Sequence, residues 1–387
     1  MPSLLNNVRS FFGSQAKPFP PGSYSYTSPP EDPRNYRLHL RIEPDGGGLL
    51  IVNAATVLHL NQTAAEYAYY MVQNLGPDQA VEQITARYQV SAAQARQDYT
   101  DFLDQIQTLV ETPDLDPVTY LGFDRQEPFS GFLSAPLRLD LALTYRLPAD
   151  LEAADAPAER AKEELSTEQW KTIIDKAWQA GIPHLVFTGG EATLRSDLPE
   201  LLHHAENNNQ VTGLLSDGQR LADPAYLETL LQTGLDHLLL LFSPGDEHDW
   251  HALRHALAAD LFTAVHLTLT AENQAQTPAL LERLAEMGVH AISLSAADPE
   301  LQPALQAAYD QAAYLQLELV WNLPVPYSMH NPIAMETGTD EYQRGAGRAW
   351  MYVEPDGDVL PAQGQNKVLG NLATDPWETI WQARGGA

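Results

Sequence analysis

The sequence contains no cysteine in 387 residues. That excludes disulfides, thiolate metal sites, thiolate-held iron–sulfur clusters and cysteine nucleophiles. It also removes cysteine usage as a guide to redox compartment. Positive charge is scarce: 22 Lys and Arg stand against 51 Asp and Glu, for a net charge of -29. Such a surface repels phosphate, so the expectation is no nucleic acid and no anionic membrane as partner. A basic peptide is attracted, weakly at physiological salt. Long apolar runs are lacking as well. The longest, around Leu238 to Phe242, is strand-sized. The N-terminus has no signal-peptide core, which leaves a cytoplasmic protein as the expectation. Leu4, Leu5, Val8, Phe11 and Phe12 fall at helical spacing and predict a short helix docked on the protein body.

What is present suffices for two or three domains: 44% of residues are hydrophobic, normal for a globular chain. Residues 1–35 form an N-terminal tail and linker, with Pro18, Pro20, Pro21, Pro29 and Pro30 in its extended part. Residues 36–112 make a compact α+β unit. Tyr36 to Ile42 alternates like a strand, and Leu49 to Asn53 and Thr56 to Leu60 follow as short strands. Thr63-Ala64-Ala65-Glu66 has the form of a capping box opening a helix. Gly76-Pro77 separates that helix from a second, and Ser91 caps a third with Tyr99, Phe102, Ile106 and Leu109 on its apolar face. Three strands and then three helices describe a winged-helix-like unit. Residues 113–135 form a second linker.

From Leu137 strands and helices alternate. Strand candidates recur at 137–144, 184–187, 211–215, 237–242, 263–270 and 291–294, with helices between them and Gly181, Gly234 and Gly288 just past three helix ends. Six such units imply an α/β fold of parallel strands with right-handed crossovers, either a barrel, whole or partial, or a doubly wound sheet. The site belongs at the C-terminal ends of the strands. A seventh strand candidate covers 317–321, and the tail has a hairpin over 350–361 turning at Pro355-Asp356-Gly357-Asp358 and a short helix over 376–381.

The sharpest chemical signal is Thr188-Gly189-Gly190-Glu191-Ala192-Thr193 directly after the second strand of this series. Glycines there let a ligand approach the backbone, and Glu191 can accept bonds from an ammonium group. Leu215-Ser216-Asp217-Gly218 ends the third strand, with Ser216 and Asp217 as polar candidates. His248, His251 and His255 share one helix face, best explained as solvated beside Asp246, Glu247 and Asp249. No catalytic residue and no metal site is expected.

On these motifs the chain resembles radical S-adenosylmethionine (SAM) peptide maturases with a SPASM-type extension. In that family a GGE-P motif after the second strand binds the methionine amino group of SAM; here Ala192 replaces the proline. The resemblance implies a partial (β/α)6 TIM-like barrel over 136–322, a SPASM-like extension over 323–387, and cofactor contacts at Gly189, Gly190, Glu191, Ser216 and Asp217. Residues 36–112 resemble PqqD, which implies binding of a leader peptide along the sheet edge beside the last helix. The family's cluster motif, C-x3-C-x2-C, falls on Leu147, Leu151 and Ala154, and the extension's cysteine falls on Ala362. None of these residues ligates iron, so no 4Fe-4S cluster is expected and SAM should bind weakly or not at all. Three functions remain open: a degenerate radical SAM-like protein of peptide maturation that binds a leader peptide and works beside a cysteine-bearing partner maturase; a cluster-free or cysteine-replaced version of an active maturase; or an enzyme using another ligand in the barrel pocket.

Overall fold

The computed structural model describes residues 16–29, 31–53, 56–112, 115, 133–148, 163–259, 261–289, 291–320, 345–365 and 367–384. The helix expected over Leu4 to Phe12, the second linker except for 115 and 133–135, and Leu151 and Ala154 lie outside them. The described chain forms two compact units. One comprises the residues up to Ser134 with Gln179–Pro183, and the other Ala135–Trp178 and His184 onward.

The first unit has a sheet of four strands in the order β1(Gly22–Thr27)-β2(Arg37–Ile42)-β3(Gly48–Val52)-β4(Thr56–Leu60), all neighbours antiparallel. The expected three strands are β2 to β4. The fourth comes from the stretch expected to be only linker: β1 pairs along the outer edge of β2 from Gly22↔Ile42 to Thr27↔Arg37. Pro20 and Pro21 extend the chain without ending it there, because the backbone groups that follow find partners on β2. Just before β1, Phe19 meets Tyr69 and Tyr70 edge-on at 4.9 and 5.9 Å, with the Arg87 guanidinium 4.5 Å from its ring centre.

The helices α1(Gln62–Val72), α2(Pro77–Arg87) and α3(Ala92–Glu111) follow. Leu40, Leu50, Leu58, Ala68, Ile84, Tyr99 and Ile106 build their shared core. Ser91 caps α3 as expected, accepting from the Gln94 N–H. The start of α1 differs from expectation. Asn61 is the cap, its side chain accepting from the Ala64 N–H at 3.0 Å. Glu66 turns inward instead of back to the helix start. It is 1% exposed, takes a two-point contact from Arg87 at 2.9 Å on each oxygen, and accepts the Tyr88 hydroxyl at 2.7 Å. A capping role would leave Arg87 without this acid.

In the second unit, seven parallel strands lie side by side in chain order: β5(Arg138–Thr144), β6(His184–Gly189), β7(Val211–Ser216), β8(His237–Leu241), β9(Phe262–Leu269), β10(Ala291–Ala296) and the short β11(Glu318–Leu319). The unbroken order decides between the two architectures left open. A doubly wound sheet reverses direction at a switch point, whereas here every crossover advances the same way, as in a partial TIM-like barrel. The crossover helices are α4(Thr167–Gln179), α5(Leu198–Asn207), α6(Pro224–Gln232), α7(Glu247–Ala258), α8(Thr277–Glu286) and α9(Gln302–Tyr314). Val186, Leu215, Leu239, Ala264 and Ala291, one from each of β6 to β10, pack into a single cluster. Gly181, Gly234 and Gly288 have φ of +85°, +104° and +84°, the left-handed caps the sequence requires.

The tail is joined to this sheet. β12(Trp350–Val353) lies parallel to β5, and β13(Asp358–Leu360) and β14(Gly370–Asn371) continue antiparallel before α10(Trp377–Ala383). Lys176 on α4 donates to the Leu372 and Asp375 carbonyls at 2.6 and 3.1 Å, fixing the approach to α10.

Because Asn61 rather than Thr63 caps α1, Asn61→Ala should lower stability to urea by about 1 kcal/mol. Thr63→Val should cost less. The reverse ranking would restore the capping box read from the sequence.

Candidate functional site

The residues expected to form the site do come together, at the C-terminal ends of β5, β6 and β7. Gly189 has φ of +127°. A Cβ there would collide with the Thr144 carbonyl oxygen, and one on Gly190 with that of Arg146. The glycines let the chain's own backbone approach this turn closely. Gly190 donates to the Thr144 carbonyl at 2.6 Å and Glu191 to that of Arg146 at 2.8 Å, so the exits of β5 and β6 are bonded together.

Glu191 is 2% exposed, and its carboxylate is occupied from within. Oε1 accepts the Thr193 N–H at 2.9 Å and the Ser216 hydroxyl at 3.1 Å, and Oε2 accepts the Asp217 N–H at 2.8 Å. Ser216, fully buried, in turn accepts the Gly218 N–H at 3.1 Å. One side chain therefore ties the turn after β6 to the turn after β7. Burial, with the charge of Asp217 adding to it, pushes the Glu191 carboxyl up to about 8, against bonds from Thr193 and Asp217 that favour the charged form.

Three further groups complete the cluster, and no sequence motif marked them. Asp249 on α7 is 2% exposed. Its Oδ2 accepts the Ser243 N–H at 2.6 Å, and its Oδ1 has no partner. Burial drives it up to about 7, aided by Asp246 and Asp217 and opposed by the Ser243 bond. Arg220 donates to the Thr193 carbonyl and lies over the Tyr226 ring at 3.9 Å. Arg195 fastens the β5 side. It donates to the Leu143 and Leu165 carbonyls at 3.2 and 3.1 Å and forms a two-point pair with Asp197 at 2.6 and 2.9 Å. Thr144 and Arg146 both reach Glu164, which brings the chain on either side of residues 149–162 to one place.

An iron–sulfur cluster does not fit these residues. Leu147, half-buried beyond the end of β5, and Ala362 after β13 offer no donor atom, and there is no thiolate anywhere in the chain. A separate cleft of about 620 Å³ lies at the ends of β8 and β9, and Gly189, Gly190, Glu191, Ser216 and Asp217 are not among its walls. The three histidines of α7 form no metal cluster among the described residues: His248 is exposed and contacts Asp246 at 3.0 Å.

The three internal bonds make the Glu191 side chain a structural element of the strand ends. Removing the side chain strands buried donors at about 1–3 kcal/mol each, so the loss should be about 3 kcal/mol, with Glu191→Gln losing less. Both Glu191 and Asp249 titrate higher folded than unfolded. Their contribution is therefore complete below the ordinary carboxylate range and is lost as pH rises toward 7–8. Stability should fall from pH 5 to pH 8, with a shallower slope in Asp249→Asn. Thermal unfolding across that range checks both; a flat profile in the parent chain contradicts the burial argument.

With this geometry in view, the comparisons with known proteins are specific. Residues 148–256 match the model of the radical SAM superfamily, and residues 48–109 match that of coenzyme PQQ synthesis protein D (PqqD). The PqqA peptide cyclase of Granulibacter bethesdensis is 32% identical over 40% of this chain and 46% of its own length, so the chain spans about half of that relative. Two solved structures share the fold across most of both chains. Streptococcus suis SuiB bound to S-adenosylmethionine has a TM-score of 0.58 at 16% identity, covering 92% of this chain and 88% of that one. SuiB bound to precursor peptide SuiA has a TM-score of 0.58 at 14% identity, covering 94% and 90%. The chain carries a PqqD-like domain followed by a radical SAM-like domain, as a radical SAM peptide maturase does, and it carries them without a single cysteine.

Proposed function

We propose that this protein captures the leader segment of a ribosomally made peptide on its PqqD-like unit and performs no radical chemistry of its own. The observation that carries the second half is the donor set: the cluster positions hold Leu147, Leu151, Ala154 and Ala362, and the turn motif of the SAM site is bonded to itself through Glu191. Without the anchor that iron gives SAM, Gly189, Gly190, Ser216 and Asp217 offer one or two charge-assisted bonds. Less the cost of ordering the ligand, these leave roughly millimolar binding. Chemistry on a bound peptide would then fall to a cysteine-bearing partner maturase.

Sheet topology supports the first half. Of the three strands that resemble PqqD, β2 has its outer edge filled by β1, β3 is central, and β4 is paired on one side only among the described residues. An extended peptide adding a strand here would take its affinity from main-chain bonds to Thr56–Leu60 and its selectivity from pockets for alternate side chains. SuiB, which shares the fold, has been captured with a precursor peptide.

Titrating isotope-labelled protein with candidate leader peptides should shift the amides of Thr56–Leu60 and of α3. Shifts confined to β1, or none with any leader, would refute the assignment to β4. An alternative reading, an enzyme using another ligand in the barrel, is favoured by one observation: the open cleft at the ends of β8 and β9.

A further inference from the structure

That cleft has a charge pattern unusual for this chain. Acids outnumber bases 51 to 22, so an arginine has an acidic neighbour by weight of numbers alone. Arg34, Arg41, Arg87, Arg96, Arg138, Arg146 and Arg195 are each in a salt bridge. Arg283 on α8 and Arg254 on α7 make no salt bridge or side-chain hydrogen bond among the described residues, and both border one recess. The guanidinium of Arg283 lies 3.7 Å from the ring centre of Trp250. Trp250 is itself fixed: its indole N–H donates to the Pro244 carbonyl at 3.0 Å, and Phe242 meets its ring edge-on at 4.7 Å. On one side of this stack is the cleft of about 620 Å³, and adjoining it is a shallower recess of about 450 Å³ that Arg254 lines.

The walls of the main cleft divide by chemistry. Leu241, Phe242 and Leu280 form an apolar wall, and Thr268 and His266 a polar floor. His266 is 3% exposed and held by Ser293 at 3.0 Å and Ser295 at 3.2 Å, with burial driving it down to about 4, so the floor carries no charge at neutral pH. Glu272 lines the cleft and Glu247 the recess, both exposed and neither in an ion pair with an arginine among the described residues. A stacked guanidinium keeps its N–H edge free and its position fixed, the arrangement that recognises a planar anion at two points.

We propose that the cleft between the ends of β8 and β9 and helices α7 and α8, together with the recess adjoining it, binds an organic carboxylate with an apolar body, the carboxylate between Arg283 and Arg254 where cleft and recess meet and the body against Phe242 and Leu280. The volume fits a single amino-acid-sized or aromatic acid with room for its neighbours.

The probe is 3-phenylpropionate, compared with the uncharged 3-phenylpropionamide and followed through the Trp250 indole N–H resonance, assigned with Trp250→Phe. The acid should shift that resonance saturably. The amide, and the acid on Arg283→Gln, should bind about tenfold more weakly, the loss of one charge-assisted contact. Arg283→Gln also removes the stack on Trp250 and could loosen α7 from α8. Arg254→Gln is the second variant, exposed and off the stack, and should weaken the acid several-fold while leaving the amide unchanged. No saturable shift, equal binding of acid and amide, or parent-like binding by Arg254→Gln would overturn the proposal.

Discussion

The organisation of the strand ends depends on one buried carboxylate. Glu191 accepts three internal hydrogen bonds where β6 turns toward α5, and through Ser216 and Asp217 it fixes the turn after β7 as well. A carboxyl removed from water needs such donors, because an unpaired one costs several kcal/mol. Beside them, Gly189 and Gly190 let the exit of β5 close against the exit of β6. Position and backbone freedom thus act together, and the Gly-Gly-Glu motif braces three strand ends.

This explains how the chain can keep the form of a radical SAM-like barrel without the means of binding a cluster. The Leu-rich strands and the layer of Val186, Leu215, Leu239, Ala264 and Ala291 need no metal to pack. Thr144, Arg146, Glu164 and Arg195 make the bonds by which the described flanks of residues 149–162 meet the barrel. Burial first, and the charge of Asp217 after it, drives the carboxyls of Glu191 and Asp249 upward.

Much of this was legible in the sequence. Strand and helix order followed from the alternation of apolar runs and capping glycines, and the site from Gly-Gly-Glu after the second strand of the series. Barrel and doubly wound sheet could not be separated there, because the order in which strands lie side by side leaves no local trace. β1 was missed because the Pro-rich composition around it reads as linker, and strand pairing at an edge depends on a partner distant in sequence. Asn61 was passed over for Thr63 because both fit a cap, and only the inward turn of Glu66 toward Arg87 decides between them. Asp249 and Arg283 carry no motif; their importance comes from burial in one case and, in the other, from the lack of an ion pair among the described residues.

The central claim is that the chain carries a radical SAM-like domain with no thiolate to hold a cluster. Anaerobic reconstitution of the full chain with iron and sulfide, followed by Mössbauer spectroscopy and iron counting on the desalted protein, tests it directly. The account predicts a colourless protein with no cluster signal. A stoichiometric iron–sulfur signal would contradict it, and would require ligands other than thiolates.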